Sequence, residues 1–169
     1  MKTKVPILFI YIIFIYSCGT EKYDLKINYE KSIKLIELVD NYGISEVFVD
    51  REKNLIINGK VIVDSIEVKN EIKPGEYNKV SKIDLINELK ITSEKIDSIQ
   101  ILMNESNNIK LNIENGAYFF MTGSWIDAQW GKVYSERDLN NMENDFKFER
   151  IKDIKPIKNK LNWYNYYAD

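Results

Sequence analysis

Two Asn-Gly dipeptides, Asn58-Gly59 and Asn115-Gly116, each stand between apolar runs. A two-residue hairpin turn of the I′ type needs positive φ at both central residues, and Asn-Gly meets that need at low steric cost. The chain is therefore committed to at least two antiparallel hairpins. Around the first, Val47 and Val49 alternate with Glu46, Phe48 and Asp50, and Leu55 to Val63 follows. Period-two alternation is the signature of strands with one buried face, so the section from Ser45 to about Val68 reads as a β-meander. Around the second, Ile109, Leu111 and Ile113 alternate with Lys110, Asn112 and Glu114. AYFFMT, residues 117–122, returns, and SWIDAQWGKVYS, residues 124–135, extends the meander with Gly131 at a bend or bulge.

Between and before these clusters the period changes. Ile33, Ile36 and Val39, widened by Leu35 and Leu38, predict a helix over Tyr29 to Asn41, stopped at Gly43. Ser81 to Asp84 forms a weak capping pattern ahead of Leu85, Ile86 and Leu89, which predicts a second helix over residues 82–90. In residues 91–108, Ile96, Ile99, Leu102 and Met103 suit a helix, while Ile99, Ile101 and Met103 suit a strand equally. The length of the segment and its Thr92-Ser93 start favour the helix. Lys73 to Glu76 is a turn and DLNNMEND, residues 138–145, a polar excursion. Ile151, Ile154 and Ile157 recur at a spacing of three, broken by Pro156. The end reads as a final strand in which Trp163 and Tyr167, or Tyr164 and Tyr166, share a face. The expected fold is α+β: a two-layer sandwich of an antiparallel sheet with two or three helices packed on one face.

The N-terminus obeys different rules. Lys2 and Lys4 precede Val5 to Tyr16, twelve residues without a charge, and Ser17 and Cys18 follow. Twelve helical residues rise about 18 Å, against about 30 Å of bilayer hydrocarbon. A basic start, a short apolar run and a small residue at its end describe a secretory signal peptide. Ile15-Tyr16-Ser17-Cys18 resembles the lipobox of bacterial lipoproteins, with an aliphatic residue three before the cysteine and a small one directly before it. The resemblance covers about the first 20 residues. It implies cleavage between Ser17 and Cys18, and a diacylglycerol thioether on Cys18, usually with a further acyl chain on its amine. Two or more chains anchor stably where one alone is marginal. Cys18 is the sole cysteine, so it has no partner for an internal disulfide. Gly19 stands where Asp is associated with inner-membrane retention, which implies the outer membrane if the cell is Gram-negative. The expected organisation is a signal peptide, 1–17, a lipidated cysteine and tether, 18–27, and one α+β domain, 28–169.

Loss of residues 1–17 removes Lys2 and Lys4 and no acid, taking the net charge from −2 to −4. No polybasic block exists, so no nucleic-acid partner is expected. The chain has no histidine. Ser-His-Asp and Cys-His machinery and imidazole metal sites are thereby excluded, and no catalytic residue, metal or cofactor is assigned. The richest stretch is Gly116 to Asp138, where Trp125, Trp130, Tyr134 and Asp127 form a candidate binding face for a glycan or a partner protein. The competing reading places these aromatics in the core. Asp127, Glu136 and Asp138 as a glycosidase set, and DLNNMENDF as a calcium loop without the EF-hand order, read better as solvated acids. Lys152, Lys155, Lys158 and Lys160 read as a solvated face. The expected function is a lipid-anchored envelope protein that acts by binding a protein or glycan ligand. Two narrower versions are a carbohydrate-binding module and an immunity-like inhibitor of an envelope-targeting effector.

Overall fold

A computed structural model describes residues 27–64, 77–125, 128–140, 146 and 151–169. The signal peptide, Cys18, most of the tether, the turn at 73–76, Asp127, the side chain of Trp125 and most of the 138–145 excursion lie outside the described residues. The first described element is α1, Tyr29–Val39, extended by a 3-10 turn over Asp40–Tyr42. Asn28 caps it, its side chain accepting from the Lys31 N–H, and Gly43 ends the turn at φ +63°. Strands β1 (Glu46–Val49), β2 (Leu55–Ile57), β3 (Lys60–Val63) and β4 (Asn78–Ser81) follow. Helices α2 (Lys82–Leu89) and α3 (Ser93–Glu105) come next, and the segment that fitted either period is thus helical. The chain closes with β5 (Lys110–Glu114), β6 (Ala117–Trp125), β7 (Ala128–Ser135), β8 (Ile151–Pro156) and β9 (Trp163–Ala168).

Both meanders belong to one nine-stranded sheet of order β4-β3-β2-β1-β5-β6-β7-β9-β8. The seam is β1 against β5, where Val47 faces Leu111. Asn58 and Asn115 take φ of +49° and +51°, as the hairpin reading required. The sheet is mixed rather than wholly antiparallel, because β4 runs parallel to β3. Such a pair needs a long crossover, which the residues between Val63 and Asn78 supply.

The three described helices lie over one face. α1 buries Ser32, Leu35, Ile36 and Val39, α2 buries Leu85, and α3 buries Ile96, Ile99 and Met103. They share a core with Val47, Ile57, Leu111, Phe120 and Trp163 from the strands. Burying a side chain such as Phe120, fully inaccessible here, contributes about 1.5–3 kcal/mol.

The opposite face is also buried, over β6 to β9. Phe119, Val133, Ile154, Tyr164 and Tyr166 form a second core, closed by Leu139 and Phe146 from the β7–β8 connection. The Phe119 ring meets Phe146 edge-on at 4.8 Å and Tyr166 at 5.3 Å. A two-layer reading leaves one of Phe119 and Phe120 at the surface, whereas the fold buries both. The isoleucine spacing of three also finds its cause. The register of β8 shifts between Ile151 and Asp153, and that bulge turns both Ile151 and Ile154 inward.

Candidate functional site

A groove opens where the C-terminal end of α1 passes over the β5–β6 turn and the end of β7. It encloses about 730 Å³, a volume in the range of small-ligand sites. Helical spacing puts Ile33, Ile36, Glu37 and Asp40 along it, one turn apart, with the isoleucines as an apolar floor. Tyr118 and Tyr134 form the sheet side. They are cross-strand partners with ring centroids 6.3 Å apart. Glu136 and Arg137, directly after β7, and the Asn115-Gly116 turn complete the rim.

Charge in the groove is lopsided. Glu37, Asp40 and Glu136 are exposed carboxylates. α1 also directs the negative end of its dipole here, with no basic residue in its last turn. Arg137 is the one cation among the lining residues, and its guanidinium donates to the Asn115 carbonyl. The Tyr118 hydroxyl donates to Asp40 Oδ1 at 2.5 Å. Burial of Tyr118, followed by that bond to an anionic carboxylate, pushes its phenol well above the usual tyrosine range. Tyr118 therefore stays a donor and holds Asp40 in place.

Of the expected binding face, Tyr134 lines this groove. Trp130 shares its side of β7 but lies one row beyond the Lys132 row, half-buried. Its indole lies over Gly123, where an added Cβ would come within 2.5 Å of Cε2. The structure therefore does not gather Trp130 and Tyr134 into one platform. Of the three acids weighed for glycoside chemistry, Glu136 reaches the groove, while Asp138 accepts from the Asn140 N–H and turns the β7–β8 connection. The basic run is dispersed. Lys152 pairs with Asp169, Lys155 with Asp153, and Lys160 sits 4.6 Å over the Tyr29 ring.

Sequence reasoning passed over Glu37 and Asp40. Their signal was legible: two acids and no base in the last turn of a helix, where the dipole favours cations. A smaller groove of about 330 Å³ lies between α3 and the β2–β3 hairpin. Its charge is compensated, with Lys82 and Asp97 paired at 2.5 Å. Among the described residues no cluster of three or more His, Cys, Asp and Glu side chains could hold a metal ion. No family model, no curated protein sequence and no solved structure matches the chain.

Proposed function

We propose that the chain is an envelope lipoprotein, held on a membrane by acylated Cys18, whose folded domain works by binding a protein ligand. One observation carries the anchor: the sole cysteine closes an uncharged twelve-residue run in the pattern Ile15-Tyr16-Ser17-Cys18. The groove under α1 supports the binding role. Residues 18–27 reach at most about 36 Å when extended, and α1 begins just past them. From Asn28 to Asp40 the helix climbs about 18 Å. The groove thus stands at the end of α1 away from the tether. Confinement to a membrane raises local concentration and lets modest affinity suffice.

The test is Cys18→Ser expressed in a bacterial host with labelled palmitate, followed by mass spectrometry. The parent chain should gain acyl mass at Cys18 and lose residues 1–17, and the variant should do neither. Normal maturation of the variant would refute the anchor.

A carbohydrate-binding reading is favoured by a separate observation. Trp130 and Tyr167 face each other across β7 and β9, both half-exposed. Quenching of tryptophan emission by oligosaccharides, abolished in Trp130→Ala, would support it over the protein ligand.

A further inference from the structure

We propose that the groove between α1 and the β6–β7 strand ends receives a basic segment of a partner protein, through Lys or Arg side chains laid along Glu37, Asp40 and Glu136. The proposal rests on the reading of the domain as a binding module and names the chemistry of its ligand.

Charge complementarity carries it. Among the described residues no ion pair involves Glu37, Asp40 or Glu136, and Asp40 Oδ1 accepts from the Tyr118 hydroxyl. An unneutralised helix C-terminus adds to the same field. Acids at this end of a helix are a local cost to stability, which an arriving cation would remove.

Geometry selects the kind of cation. The carboxylates do not converge into a metal-holding group, so one ion cannot satisfy them together. They match several cations spaced along a chain. The apolar floor takes the alkyl stems of Lys or Arg, and the Tyr134 ring offers a cation–π face. Arg137, engaged with the Asn115 carbonyl, borders the site and repels an arriving cation at that edge.

The probe is a fluorescein-labelled octapeptide of alternating arginine and glycine, titrated against the full-length chain in neutral detergent by fluorescence polarisation. Saturable binding should weaken as salt rises to about 0.5 M. Glu37→Gln and Glu136→Gln should each weaken it by about two- to fivefold, and the pair by about tenfold. Both positions are exposed, and thermal melts of the variants should fall no lower than the parent's. No saturable binding, or an affinity unchanged in the double variant, would overturn the proposal. So would equal binding of a glutamate-for-arginine peptide, or of spermidine as tightly as the peptide, since a free polyamine would then be the better guest. Acyl mass and peptide binding, both read on the parent chain, separate the two readings. A parent chain without acyl mass that still binds the peptide refutes the anchor alone, and an acylated parent that binds no peptide refutes the groove alone.

Discussion

Gly131→Ala tests the packing of β6 on β7 at the point where the second core and the bulge meet. Gly131 faces Met121, beside the register shift between Met121 and Gly123. A Cβ on Gly131 would lie 1.9 Å from the Phe120 carbonyl oxygen and 3.0 Å from Cε1 of Tyr166. Carbon and carbonyl oxygen ordinarily rest no closer than about 3.3 Å. The two strands would have to part by roughly 1.4 Å, and the obstructing atom is backbone, which cannot rotate away. Overpacking of this kind costs about 1–3 kcal/mol. Losing about two ladder hydrogen bonds adds about 1 kcal/mol each. A loss of about 3–5 kcal/mol is expected, a large part of the 5–15 kcal/mol by which domains are stable. At about 2–4 °C per kcal/mol, the melting temperature should fall by at least 6 °C. Gly116→Ala is the control, because an added Cβ there meets nothing within 4 Å and only the φ of +72° is strained. It should cost about 1–2 kcal/mol. Thermal denaturation followed by circular dichroism reads both. A Gly131→Ala protein melting within 2 °C of the parent, or above Gly116→Ala, would refute the reasoning.

Phe119→Ala and Phe120→Ala should each destabilise by about 3–5 kcal/mol in urea melts, because β6 is buried on both sides; near-neutrality of either would mean that its face is open. Asn58 accepts from the Ser45 N–H at 2.8 Å and the Glu46 N–H at 3.2 Å while holding φ +49°. Asn58→Gly keeps the backbone and loses the bonds, so it should cost about 1–3 kcal/mol, and Asn58→Ala should cost more by the strain of that φ. Ser81 caps α2, accepting from the Asp84 N–H at 3.0 Å, and Ser81→Ala should cost about 1 kcal/mol in the same melts. Tyr118 has a raised folded-state pKa, so above the ordinary tyrosine value near pH 10 the unfolded chain loses a proton that the folded chain keeps. Stability should then fall with rising pH by up to about 1.4 kcal/mol per unit, and Tyr118→Phe should flatten that fall. Equal slopes in parent and variant would show that the phenol is not protected.

Much of the fold was legible because its signals are local. Asn58-Gly59 and Asn115-Gly116 name their own turns, since few residues accept their φ. The stripe through Leu35, Ile36 and Val39 needs only helical spacing to be seen. Gly131 could be read as a bend or bulge position because a lone glycine in a strand marks close backbone approach. The candidate site was less legible. Tyr134 was named for its place in an aromatic cluster, but Glu37 and Asp40 are distant in sequence from Glu136, and only the crossing of α1 over the sheet brings them together.

The sequence by itself determined the hairpins, the first two described helices and the absence of histidine, and it favoured a helix over residues 91–108 without deciding it. Each depends on residue type and short spacing, which survive without tertiary context. The tertiary structure decided that two meanders join through β1 and β5, that β4 runs parallel to β3, and that β6 is covered on both faces. Those outcomes turn on which nonlocal contacts exclude the most apolar surface from water. Periodicity shows that a strand has two faces. Whether Leu139 and Phe146 return to cover the second is a matter of long-range packing.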